Sequence, residues 1–184
     1  MADAARRLCE EKGIKFTALR PSSIIGPGDY FAVPTVIRNI LEGRMVLVGG
    51  GDNTVPFAHP SDVASAHLLA LQHIDENDGE AFHLASFHVP FREYVAAYCR
   101  ELGVDPVTRR LPYFLAYVVA TLRNIGPFSS DVTRFTVKFI SSHSVLDQTK
   151  ITERLGWNPK YDLEKTVRET VEWYQTEKPS LKPE

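Results

Sequence analysis

Cysteine is scarce in this chain. Of 184 residues two are cysteines, Cys9 and Cys99, and two thiols in stretches of helical spacing cannot form the disulfide framework of a small secreted domain. A reducing compartment, the cytoplasm, is the expectation. Long apolar runs are missing too. The longest, Phe114 to Ala120, is far below the ~20 residues that a membrane helix requires, and Met-Ala-Asp-Ala-Ala-Arg-Arg at the start has no apolar signal core. No membrane span is expected. Neither sign of charge dominates: a formal net charge of -2 supplies no overall basic field to hold nucleic acid or an anionic membrane.

Chemical signatures are equally sparse. The six histidines include His59 and His67 near a helix start, but no carboxylate or cysteine stands at the short spacings of tetrahedral zinc ligation. No metal site is expected. Cys-x-x-Cys is missing, which leaves a thiol mechanism unsupported. Ser22-Ser23, Ser129-Ser130 and Ser141-Ser142 lie outside the Gly-x-Ser-x-Gly elbow that exposes a hydrolase nucleophile. Gly49-Gly50-Gly51-Asp52 is not the Gly-x-Gly-x-x-Gly fingerprint, and it leads to Asn53-Thr54-Val55-Pro56 instead of a helix N-terminus. A tight turn is the reading of that glycine run.

What is present is an alternation of elements. Residues 2 to 12 are helical, with Gly13 as the stop. Ile14-Lys15-Phe16-Thr17-Ala18-Leu19 is short, apolar or β-branched, and reads as a largely buried strand ending at Pro21. Val33, Val36, Ile37, Ile40 and Leu41 fall at helical spacing, with Pro34 near the first turn and Gly43 at the end. Met45 to Val48 reads as a strand. Phe57 to Pro60 reads as an extended piece, after which Ser61-Asp62 can cap the helix Val63 to Gln72.

Ala81 to Ala85 is a further strand, and Phe91, Tyr94, Val95, Tyr98 and Leu102 mark one face of a helix closed by Gly103. Residues 111 to 124 form an apolar helix with little polar face. It could be a lid over an apolar pocket, or ordinary core or partner packing, and the second reading has the stronger claim. Asp147 can cap a helix running to Leu155 and stopped by Gly156. Leu163, Val167, Val171 and Tyr174 line a final helix, and the proline-containing tail past Lys178 should fray. Strands alternating with helices, then mostly helices, give an α/β class with some parallel pairing in one domain.

Four pieces in order carry a resemblance. They are Thr17 to Asp29 (Thr-Ala-Leu-Arg-Pro-Ser-Ser-Ile-Ile-Gly-Pro-Gly-Asp); Val46 to Asp52 leading to Phe57-Ala58-His59-Pro60-Ser61-Asp62-Val63-Ala64; Gly79 to Ala85; and Lys150 to Pro159 followed by Thr166 to Tyr174. Together they resemble the C-terminal part of an extended short-chain dehydrogenase/reductase of the NAD-dependent epimerase/dehydratase family. The resemblance implies a Rossmann-type α/β fold with a mainly helical substrate-binding subdomain.

That resemblance carries residues with it. Pro21, Ser22, Ser23 and Ile24 match the loop that packs by the nicotinamide, where backbone groups would orient the carboxamide. A fixed turn that only shapes the fold is the alternative for them. Phe31, Val48, Phe57 and His59 would line or border the substrate pocket, with His59 equally suited to a hydrogen bond at the helix start. Nucleotide-sugar members place an arginine before the aromatic-x-His element to grip a diphosphate, and Val55-Pro56 stands there instead. This points to the 3β-hydroxysteroid dehydrogenase-like or dihydroflavonol reductase-like branch and to a small, fairly apolar substrate.

The resemblance also implies that the family's catalytic Tyr-x-x-x-Lys and phosphate-binding glycines fall upstream of Met1. The chain is therefore expected to be the substrate-binding half, not to bind NAD or NADP alone, and not to turn over by itself. The edge of the strand at 14 to 19 would seek the N-terminal half or a self-association partner. The competing class is a non-catalytic binding or assembly module that kept the fold.

Overall fold

A computed structural model of the protein describes residues 2–123 and 134–177. In chain order the elements are α1 (Ala2–Glu11), β1 (Ala18–Pro21), β2 (Ser23–Ile24), α2 (Ala32–Leu41), β3 (Leu47–Val48), β4 (Thr54–Ala58), α3 (Pro60–Gln72), β5 (Ala81–Leu84), β6 (Phe87–Pro90), α4 (Phe91–Leu102), β7 (Arg110–Leu111), α5 (Tyr113–Arg123), α6 (Arg134–Ser141), α7 (Thr149–Leu155) and α8 (Leu163–Glu177). Ser129-Ser130 and the tail past Lys178 lie outside the described residues, as does Asn124, where the apolar segment was expected to end.

The chain forms two units built from interleaved segments. The first takes residues 1–24, 57–87 and 146–162; the second takes 25–56, 88–145 and 163–184.

In the first unit, β1 runs parallel to β5, with Ala18 opposite Ala81 and Pro21 opposite Leu84. The chain then steps sideways, so that β2 pairs in parallel with the end of β4, Ser23 opposite Phe57 and Ile24 opposite Ala58. The apolar faces of these strands meet α3 and α7. Ala58, Val63, Ala66, Ala70, Phe82, Leu84, Ile151, Leu155 and Trp157 form one buried cluster, with Leu19 and Leu69 packed on it. Burial of that apolar surface is the main stabilising term of the unit.

In the second unit, α4 turns Phe91, Tyr94, Val95 and Tyr98 inward and packs on α8, which buries Leu163, Val167 and Val171. Arg100 joins Glu164 across that pair. Two short strands, β3 and β7, run parallel with Val48 opposite Leu111. Over them Val48, Ala116, Ala120 and Val137 form a second buried cluster.

Several expectations need correction. The strand expected at 14 to 19 begins at Ala18 and runs through Pro21, so the open edge proposed at 14 to 19 lies further along. Residues 16 and 17 are claimed by a turn instead. Phe16 N donates to Asp78 Oδ1, its carbonyl accepts from Gly79 N, and Thr17 Oγ1 donates to Asn77 O. Ile14 is exposed. Among the described residues β5 is the only strand paired with β1, and Pro21 has no amide proton to give a second neighbour.

Helix starts also differ. His59, not Ser61 or Asp62, caps α3. Gln148 stands at the cap of α7, while Asp147 bonds the Thr149 amide from one residue further upstream. Met45 and Val46 are not strand, because the amides of Arg44 and Met45 both turn back to Asn39 O. The helix α6 and the strands β6 and β7 were not among the elements expected from the sequence.

The glycine run after β3 is a tight turn, and Gly51 explains why it must be glycine. Its φ is +76°, and a Cβ there would lie 3.0 Å from the backbone nitrogen of Arg92. That nitrogen donates to Gly51 O, so the first turn of α4 sits directly on the turn.

Candidate functional site

Six of the eight residues singled out from the sequence fall in the first unit, on adjacent backbone. Pro21 closes β1, and Ser22 N donates to Leu84 O at 3.0 Å. Ser23 and Ile24 then lie beside Phe57 and Ala58, one residue before His59. Ile24 is 43 % exposed and presents an apolar side chain. Ser22 Oγ is shut off from solvent with no hydrogen-bond partner among the described atoms. Such an orphan hydroxyl in a protein interior needs an explanation.

Phe57 and His59 are buried. Phe57 packs against Phe87 with ring centroids 5.9 Å apart. The His59 ring stacks on Tyr161 at 3.6 Å, nearly coplanar, and its Nδ1 accepts the Ser61 amide at 3.2 Å. That bond fixes Nδ1 as the unprotonated nitrogen and satisfies one of the free amides of the first turn of α3.

Beneath His59 lies a buried polar hub. Asp62 is 1 % exposed. Its carboxylate accepts Ser86 Oγ at 2.6 Å, Lys160 N at 2.9 Å and Tyr161 N at 3.2 Å. Ser86 Oγ in turn accepts the His59 amide at 2.8 Å. The Asp62 carbonyl takes Trp157 Nε1 at 3.1 Å and Ser65 Oγ at 2.7 Å. Three donors on one carboxylate, in the first turn of a helix, compensate a charge that burial would otherwise make costly. The hub ties the start of α3, the end of β5 and the 157–161 loop into one frame, and it fixes the backbone that carries Phe57 and His59.

Sequence reading missed this role. Asp62 read as a cap, and Trp157 as part of a resemblance. The available signal was a charged residue directly followed by an apolar helix face, combined with an indole that had to find an acceptor.

The other two residues lie in the second unit. Phe31 stands at the start of α2, 88 % exposed, and Val48 is buried against Ala116, Ala120 and Val137. Tyrosines are also present there, but burial pushes the hydroxyls of Tyr94 and Tyr98 up. That is the opposite of what a proton-relay phenol needs. Burial likewise pushes the Cys99 thiol up, away from nucleophilic thiolate chemistry. Among the described residues no group of three or more His, Cys, Asp or Glu side chains gathers as a metal site. No helix among them is long and apolar enough to cross a membrane.

Parallel strands joined through helices, with an open Ile24 and an orphan Ser22 hydroxyl after the first strand, define a Rossmann-type α/β fold. Residues 1–85 match the model of the NAD dependent epimerase/dehydratase family. The 3β-hydroxysteroid-dehydrogenase/decarboxylase isoform 2 of Arabidopsis thaliana is 27% identical over 177 residues, covering 87% of this chain and 31% of its own. The short-chain dehydrogenase/reductase family 42E member 1 of Danio rerio is 32% identical, covering 88% of this chain and 45% of its own.

Among solved structures, the UDP-glucose 4-epimerase of Thermotoga maritima, determined with UDP-glucose, superposes with a TM-score of 0.68 at 26% identity over 96% of this chain and 51% of that one. The chain belongs to the extended short-chain dehydrogenase/reductases and is similar to their 3β-hydroxysteroid dehydrogenase-like members. It spans about half or less of the length of these relatives.

The family is an NAD-dependent oxidoreductase and epimerase family, and the residues present fit one end of such a cofactor. The orphan Ser22 Oγ and the open side chain of Ile24 suit an amide-bearing aromatic ring, which needs one polar contact at its edge and an apolar face. The charged diphosphate of a dinucleotide would need a cradle of backbone amides, and at the turn the Gly49 and Gly51 amides are already given to Leu111 O and Val48 O.

Proposed function

We propose that this chain supplies the nicotinamide-facing loop and pocket walls of an NAD(P)-dependent oxidoreductase acting on a hydroxyl or carbonyl carbon of a small apolar substrate. The observation that carries the reading is the register of β2 on β4. It sets Pro21, Ser22, Ser23 and Ile24, which would border the cofactor, beside Phe57 and His59, which would border the substrate. Phe31 and Val48 are the remaining substrate-facing candidates. In this reading a bound dinucleotide would supply or accept the hydride, Ser22 would orient its carboxamide, and Phe57 would exclude water from the reacting carbon.

An apolar, sterol-like substrate is favoured on two grounds. Val55-Pro56 replaces the arginine that would grip a nucleotide-sugar diphosphate, and the relatives with the fuller matches include a 3β-hydroxysteroid dehydrogenase/decarboxylase. The free cysteines, Cys9 and Cys99, suit a cytoplasmic setting. The chain is proposed to need a dinucleotide-binding half for turnover.

NADH fluorescence titration tests the first part, and negligible binding to this chain alone is expected. Mixing it with the dinucleotide-binding half of a relative should restore sterol-dependent hydride transfer. Ser22→Ala should then raise the KM for the cofactor, leaving the KM for the sterol in place. Transfer that requires a nucleotide sugar, or that ignores Ser22→Ala, would overturn the reading.

A further inference from the structure

The second unit carries a small depression of about 290 Å³, and every residue that lines it belongs to that unit. Neighbouring positions of a strand point to opposite faces. Val48 and its register partner Leu111 pack on the cluster of Ala116, Ala120 and Val137, so Leu47 and its partner Arg110 stand on the other face, where both line the depression. Val95 of α4 and Val107 of the loop that follows complete an apolar floor with Leu47. Leu47 and Val95 are 6% and 1% exposed. None of the eight residues assigned above to cofactor or substrate lines this depression.

Three charged side chains, Arg92, Glu93 and Arg110, border that floor, and they differ in what already holds them. Arg92 forms an ion pair with Asp52, so its charge is spent. Arg110 and Glu93 are exposed, and among the described residues no oppositely charged group stands within 4.0 Å of either, each other included. One unclaimed guanidinium and one unclaimed carboxylate therefore face the same apolar floor. Their charges cancel, and the depression has no net field for a polyanion.

We propose that this depression binds an aliphatic α-amino acid, its carboxylate on the Arg110 guanidinium, its ammonium on Glu93 and its side chain on Leu47, Val95 and Val107. Each part of the lining turns away another occupant. A guanidinium fork takes a carboxylate through two parallel hydrogen bonds, whereas the further charge of a phosphate or nucleotide would be set against Glu93. A simple fatty acid satisfies Arg110 but covers Glu93 with apolar surface and gives it no partner. An amine does the same to Arg110. Size selects as well. The volume equals that of about ten waters and lies at the low end of ligand pockets, enough for an amino acid and too little for a sterol or a dinucleotide. The site is separate from the residues assigned to hydride transfer, so the inference does not depend on the oxidoreductase reading.

The test is isothermal titration calorimetry of the full chain with L-leucine, set against isoamylamine and isocaproate, which lack its carboxylate and its amine. Leucine is expected to bind with a Kd of about 1 mM or tighter, and each truncated analogue at least about tenfold more weakly. Arg110→Gln and Glu93→Gln should each weaken leucine binding about tenfold, with an unchanged circular dichroism spectrum and urea midpoint, since both side chains are exposed. Amide NMR shifts on adding leucine to the parent chain locate the site without any variant, and they should centre on Gly50, Arg92 and Val107. No leucine binding would overturn the inference, as would isocaproate or isoamylamine binding as tightly as leucine. It would equally fail if binding ignored either variant, if the shifts centred elsewhere, or if inorganic phosphate displaced leucine.

Discussion

Two apolar helices of the same unit, α4 and α5, are turned in opposite directions. Along α4 the residues that go inward are the large ones, Phe91, Tyr94, Val95 and Tyr98. In α5 alanines go inward and the phenylalanine, leucine and tyrosines go out. The pair teaches that apolar content alone does not tell which face of a helix is buried. Spacing does so for α4, whose polar residues leave one apolar stripe. It fails for α5, which has almost no polar face to oppose.

The largest expected effect lies in α4. Tyr98→Ala removes a fully buried ring packed edge-on to Tyr94 at 5.1 Å and should lower unfolding free energy by about 3–5 kcal/mol in urea titrations. A loss under ~1 kcal/mol would erase the contrast with α5. In the first unit, Asp62→Asn keeps the shape but replaces an acceptor-only carboxylate facing three donors. A loss of about 1–3 kcal/mol is expected, and the indole fluorescence of Trp157, bonded to the Asp62 carbonyl, should report any loosening.

Next comes Gly51→Ala, at about 1–2 kcal/mol, from a positive φ and a Cβ pressed against the start of α4. Phe114→Ser in α5 should stay within about 0.5 kcal/mol of the parent. A larger loss would mean that α5 is a core helix after all.

The smallest effect is electrostatic. The Lys150 ammonium, and after it the Arg154 guanidinium, hold the Glu80 carboxyl below the usual carboxylate range. Its folded pKa therefore lies below its unfolded one, so its contribution is present at neutral pH and fades as pH falls through the acid range. The effect should appear as a lowered NMR titration midpoint of Glu80 that Lys150→Ala returns toward normal.

Periodicity and glycine stops made α1, α2, α4 and α8 legible, because each has an apolar stripe and a local end signal. β5 was legible from its short apolar and aromatic run after a turn. What stayed hidden depends on partners far away in sequence. The shift of β1 follows from Asp78 and Asn77 capturing residues 16 and 17, some 60 residues on. Asp62 could be seen as a helix-start residue, but its three donors come from residues 86, 160 and 161. The eight candidate site residues were named through resemblance, and only the register of β2 on β4 shows why six of them share one frame.

The Asp62 hub has a consequence for synthesis on the ribosome. The first unit is assembled from residues 1–24, 57–87 and 146–162, and the bonds from Trp157, Lys160 and Tyr161 to Asp62 span 95 to 99 positions. Contacts of such separation form late, after the loop-closure entropy of everything between them has been overcome. The unit cannot close until Asp162 has left the exit tunnel. Until then the apolar faces of β5 and α3 wait without Ile151, Leu155 and Trp157, and exposed apolar surface of that kind favours aggregation.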